Sequence, residues 1–154
     1  MSIQISDILT QEQTLAGVAV SSKKKLLELL ASMVAETIDS ASADDVYEKL
    51  LSRERMGSTG IGHGIAIPHC RLLTCESALG FLLRLEEPID YDAIDGRPVD
   101  LVFALVVPEE STDEHLQLLA TLATNFSQSA FREALRCAPD VSHLYQRAIA
   151  TRES

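Results

Sequence analysis

The chain has 154 residues, 46% hydrophobic and 23% charged, a length and balance that suit one folded domain with its own core and exclude a disordered segment. Its formal net charge of -10 opposes nucleic acid phosphates, and no run of about 18 apolar residues offers a membrane span. Cys70, Cys75 and Cys137 are the three cysteines, with no Cys-x-x-Cys pair, which argues against a disulfide framework or a zinc knuckle.

The opening MSIQISDILTQEQ lacks the basic-then-apolar signature of a secretory signal, so a cytoplasmic protein is expected. With no repeat, low-complexity tract or long linker, one domain is expected over residues 1–154. Ile3, Ile5, Ile8 and Leu9, then Leu15, Val18 and Val20, suggest short extended structure leading to a helix. Ser21 or Ser22 can cap that helix, whose apolar face is Leu26, Leu27, Leu29, Leu30, Met33, Val34 and Ile38. A second helix starts at Ser42-Ala43-Asp44-Asp45, carries Val46, Leu50 and Leu51, and stops at Gly57. The loop GSTGIGHG then leads into a short strand, Ile65-Ala66-Ile67, closed by Pro68. Ala78 to Leu85 and Val99 to Val107 are continuous apolar runs, as expected of strands buried on both faces. Asp95-Gly96 marks a turn between them. A helix from Thr112 or Asp113 bears Leu116, Leu118, Leu119, Leu122 and Phe126, and two shorter ones follow at 131–136 and 141–150. Helices before, between and after buried strands imply a layered α/β fold.

The densest chemical signal runs from Gly57 to His69. Gly57, Gly60, Gly62 and Gly64 let the backbone approach a ligand with its amides exposed, and Ser58 and Thr59 can add hydroxyl donors, so the loop could cradle a phosphate. It is not a Walker loop, having no Gly-Lys-Ser/Thr, and it precedes a strand instead of following one, the reverse of a dinucleotide fingerprint. Pro68 restricts the backbone just before His69, which sets an imidazole on a rigid strand end. A neutral imidazole is a good nucleophile near pH 7 and forms a phosphoramidate that stays reactive. Transfer of a phosphoryl group needs positioning and neutralisation of its oxygens. His115 is a candidate second imidazole, and Arg53 or Arg55 a candidate cation; two residues apart on a helix, only one of the two arginines can face the site.

The stretch RERMGSTGIGHGIAIPH resembles the signature of the fructose/mannitol-type enzyme IIA family of the phosphoenolpyruvate-dependent phosphotransferase system, and within it the nitrogen-regulatory branch. The resemblance implies that His69 is phosphorylated on its far ring nitrogen, with His115 as second active-site histidine and Arg53 as active-site arginine. It also implies a central mixed β-sheet of about five strands with helices on both faces, no metal and no organic cofactor. The donor would be a histidine-containing phosphocarrier protein, and the regulatory targets proteins such as sensor kinases or potassium transporters. His63 stands where the family often has asparagine, and Cys70 where a small residue is common.

Other readings share these residues. A sugar-specific enzyme IIA would use the same chemistry but pass phosphate in trans to a permease component. A metal or thiol enzyme would draw on His63, His69, Cys70 and His115, although neighbours on a strand face opposite ways and the spacing lacks the pattern of H-E-x-x-H. A pure binding module would leave the histidine structural.

Overall fold

In the computed structural model, residues 4–110 and 113–150 are described, apart from the side chains at positions 114 and 115. The order is α1 (Ile5–Ile8), a 3-10 turn, β1 (Thr14–Val18), α2 (Lys23–Thr37), α3 (Ala43–Arg55), β2 (Gly60–Gly62), β3 (Ile65–Ala66), β4 (His69–Leu72), β5 (Leu79–Ile89), β6 (Val99–Pro108), α4 (Asp113–Phe126), α5 (Ser129–Arg136) and α6 (Val141–Ile149). The strands form one mixed sheet in the order β1-β5-β6-β3-β2, with β4 also paired to β6. It is thus five strands across, as the resemblance implies. β3 and β4 share one track: Ile65 lies opposite Leu101 and His69 opposite Leu105, the same register offset, both parallel to β6.

The two apolar runs account for the layers. Along β6, Leu101, Phe103, Leu105 and Val107 face one cluster of buried residues, while Val102, Ala104 and Val106 face another. This is the period-2 alternation of a strand covered on both sides. The first of these faces packs against α1, α4, α5 and α6 through Ile5, Leu118, Leu122, Phe126, Leu135 and Leu144. The second packs against α2 and α3 through Leu26, Leu27, Leu30, Val46 and Leu50.

Both serine caps form. Ser22 Oγ accepts from Lys25 N at 3.2 Å and Ser42 Oγ from Asp45 N at 3.4 Å. Three details differ from the sequence reading. Ile5 to Ile8 are helical, not extended: Asp7 accepts the Gln4 N–H at 2.8 Å, and Ile5 and Ile8, one turn apart, are buried together. Leu116 is 64% exposed, because it lies about 120° round α4 from the middle of the buried stripe of Leu118, Leu122 and Phe126. β3 ends at Ala66, one residue short of the expected strand, and Pro68 does not close the track, since pairing resumes at His69.

Phe126 ties three elements together, meeting Phe103 of β6 and Phe131 of α5 edge-on at centroid distances of 6.2 and 5.1 Å. Phe126→Ala is expected to destabilise the fold by about 3–5 kcal/mol through transfer loss plus a cavity, read as a lower midpoint at unchanged slope in urea unfolding.

Candidate active site

His69 opens β4 on the wall of a surface cleft of about 610 Å³, whose lining also includes Asp45, Lys49, Arg53, Met56 and Arg71. Cys70 and Leu72 point into the core beneath α2 and α3, so alternation places His69 and Arg71 on the other face. His69 is 9% exposed, so little of it meets solvent.

Its orientation follows from the interrupted strand. Backbone polar groups alternate sides along a strand; Pro68 O accepts from Leu105 N of β6 at 2.9 Å, so the Ile67 groups face the outer edge. There β2 has ended. Ile67 N donates to Thr59 O at 2.9 Å, and Ile67 O lies 2.8 Å from His69 Nδ1. On the far side of the ring, Arg53 Nε donates to His69 Nε2 at 3.2 Å. A carbonyl can only accept and a guanidinium can only donate. The neutral ring therefore carries its proton on Nδ1 and its lone pair on Nε2.

Arg53 is held by its own helix end, where Nη1 donates to Gly57 O at 2.9 Å. Of the two arginines left open by the sequence, Arg53 turns to the ring and Arg55 is exposed. Burial pushes the His69 pKa below the ordinary imidazole value; the Ile67 hydrogen bond opposes this, the positive charge of Arg53 adds to it, and Glu54 opposes it. Neutral, nucleophilic imidazole thus persists to lower pH than for a free histidine.

Beneath the site lies a network that the sequence reading missed. Glu54, with its side chain 3% exposed, pairs with Lys23 Nζ of α2 at 2.8 Å. It also accepts from Thr59 N at 3.1 Å, from the Thr59 hydroxyl and from Tyr91 Oη at 3.2 Å. Lys23 sits 4.5 Å over the Tyr91 ring, and burial pushes the Tyr91 phenol well above its ordinary pKa, Glu54 adding to the rise. The bonds run in series from Glu54 to Thr59, from Thr59 to Ile67, and from Ile67 to the His69 ring. A signal existed for Glu54 alone: an acidic residue in the last turn of a helix opposes the dipole, so a local partner is needed. Lys23 and Tyr91 carried no such signal.

The loop residues expected to cradle phosphate have other partners here. The Thr59 hydroxyl is committed to Glu54 and Tyr91. Ser58 Oγ donates to Tyr91 O and accepts from Gly60 N. Gly60 packs on Ala93, where an added Cβ would lie 2.7 Å from the alanine Cβ. Gly62 and Gly64 flank the β2–β3 turn, beside Asp95 and beside Arg136 with Asp100. The structure brings together His69 and Arg53 and leaves these glycines apart from them. His115 lies in the first turn of α4, with its side chain outside the described residues.

Residues 7–149 match the family described as phosphoenolpyruvate-dependent sugar phosphotransferase system, EIIA 2. The chain belongs to this family. It is 46% identical over 144 residues to a nitrogen regulatory protein of Pseudomonas aeruginosa, covering 94% of each chain. The solved structure of nitrogen regulatory protein IIA-Ntr from Neisseria meningitidis superposes with a TM-score of 0.88 at 42% identity, over 96% of this chain and 99% of that one. IIA mannitol from Escherichia coli, at 17% identity and a TM-score of 0.75 over 91% of this chain and 98% of that one, shares the fold.

In this enzyme IIA chain the thiol next to the histidine belongs to the core, although Cys70 also reaches the wall of the same cleft. Cys70 is 6% exposed within the core, and burial pushes its pKa up to about 12, which keeps the thiol protonated and a poor nucleophile near neutral pH. No helix among the described residues is long and apolar enough to cross a membrane.

Two outcomes follow from this enzyme IIA site. An NMR titration of the His69 ring should give a pKa below the ordinary histidine value, rising in Arg53→Met because the opposing positive charge is gone. Glu54→Ala should destabilise the fold by about 3–5 kcal/mol, as expected when one partner of a buried ion pair is removed, measured by urea unfolding.

Proposed function

We propose that His69 accepts a phosphoryl group on Nε2 from the phosphohistidine of a histidine-containing phosphocarrier protein in the cytoplasm, and that its phosphorylation state sets a regulatory output. The carrying observation is the ring itself, held by the Ile67 carbonyl at Nδ1 with Nε2 directed to Arg53. In the transfer, the Nε2 lone pair forms the new P–N bond while the donor's P–N bond breaks. The donor imidazole keeps that electron pair and takes up a proton. Positive charge develops on the His69 ring, and the Ile67 carbonyl is already placed to accept from its Nδ1–H.

Arg53 must leave the lone pair as phosphorus arrives, and its guanidinium can then bind the phosphoryl oxygens. Lys49 and Arg71 on the same cleft supply further positive charge, set against the carboxylates of Asp45 and Glu48. Ser58, Thr59, Gly60, Gly62 and Gly64 can join only if the loop rearranges from the bonds described above. His115 is the proposed second imidazole: β4 runs beside the end of β6, with Leu72 opposite Pro108, and the chain enters α4 a few residues later. Exposed Met56 on the cleft wall offers an apolar contact for a docking protein.

The regulatory reading rests on the relatives named nitrogen regulatory protein, matched along almost their whole length, whereas the mannitol protein shares only the fold. Phosphorylation adds about two negative charges at one surface, enough to alter docking of targets such as sensor kinases or potassium transporters. With phosphoenolpyruvate, enzyme I and the phosphocarrier, the protein should gain about 80 Da in an acid-labile, base-stable form. His69→Ala should gain nothing, and Arg53→Met should react about 10²-fold more slowly. Label on His69→Ala at the full rate would remove the site assignment.

A further inference from the structure

A second cleft, of about 390 Å³, opens beside the β2–β3 turn, lined by Arg97, Arg132, Arg136 and Asp100 and walled by Pro88 and Pro98. Asp100 is the second residue of β6, whereas His69 lies opposite Leu105, so the two clefts are separated by about 16 Å along the strand. We propose that this second cleft binds a small molecule carrying a diphosphate group.

Charge is the first support. The chain has 13 lysines and arginines against 23 aspartates and glutamates, yet three arginines converge here against one aspartate. Guanidinium groups gathered in one cleft repel each other, and an anion between them relieves that repulsion. Arg132 and Arg136 are one turn apart on α5 and so share a face, while Arg97 comes from the connection before β6.

Unused donors are the second. Arg136 is anchored, its Nε and Nη2 donating to Asp100 at 3.0 and 2.8 Å and its Nη2 also to His63 O; Nη1 has no partner among the described residues. Arg132 spends Nη1 on Phe126 O at 2.8 Å, which leaves Nε and Nη2. The Arg97 guanidinium makes no hydrogen bond or ion pair among the described residues. Donors thus remain on two separate elements, α5 and the connection before β6, and two linked phosphoryl groups offer them more acceptor oxygens than one.

The turn beside them is shaped for close approach. His63 and Gly64 have φ of +58° and +80°, the pairing of a tight hairpin turn. A Cβ on Gly64 would collide with Arg136 Nη2. His63 occupies the left-handed region that asparagine, aspartate and histidine enter more readily than other non-glycine residues. It puts an imidazole at the cleft mouth. The volume suits a small molecule, with the two prolines offering rigid apolar walls to its uncharged part. The overall negative charge disfavours a nucleic acid.

The test is an NMR titration of the full-length labelled protein with inorganic pyrophosphate at constant ionic strength. Saturable shifts are expected at the His63 and Gly64 amides and the Arg97 and Arg132 Nε–H groups, unchanged in His69→Ala. Pyrophosphate should bind about tenfold more tightly than orthophosphate, and Arg97→Gln should weaken it about tenfold with no change in Tm. Shifts confined to the His69 cleft, an equal response to orthophosphate, or unchanged affinity in Arg97→Gln would each overturn the assignment.

Discussion

A single backbone carbonyl, that of Ile67, governs the chemistry of the site. Within a sheet most carbonyls are consumed by the ladder, but this one faces outward where β2 has already turned away, and the His69 Nδ1–H takes it at 2.8 Å. Because the carbonyl can only accept, the ring's second nitrogen is left with its lone pair, and Arg53 lies against it. A different backbone path at residues 66–68 would free the ring to adopt the other tautomer. Pro68 suits that path, since it has no N–H to donate to the ladder.

Opposing influences then hold the ring neutral but nucleophilic. Burial and the Arg53 charge disfavour imidazolium, while the Ile67 carbonyl and Glu54 favour it. The first pair prevails, so the resting ring does not lose its lone pair to a proton. In the proposed transfer, the second pair matters as positive charge develops on the ring. Glu54 serves twice, through its field and through the bonds that fasten Thr59, and hence Ile67, to the end of α3. The Lys23 contact carries this bracing back to α2, so both helices on one face of the sheet support the histidine.

Much of this was legible in the sequence. The serine caps, the two doubly buried strands and the histidine after Ile-Ala-Ile-Pro could be read because each depends on neighbours in the chain. The glycine loop was read for its conformational freedom, which is real, but freedom does not reveal which surface a loop will meet: Gly60 lies against Ala93 and Gly64 beneath Arg136. Tyr91 and Lys23 were invisible as partners of Glu54, since only the folded chain brings them together. The helical turn Ile5–Ile8 was misjudged because four residues carry too little periodicity to separate a turn of helix from an extended segment.

Nitrogen-15 NMR of the His69 ring tests the account most directly, because it reads the protonation of each ring nitrogen. At neutral pH the free protein should show a protonated Nδ1 and a bare Nε2, and the phosphorylated protein should show phosphorus on Nε2. A free protein with its proton on Nε2, or a phosphorylated one with phosphorus on Nδ1, would contradict the role given to the Ile67 carbonyl.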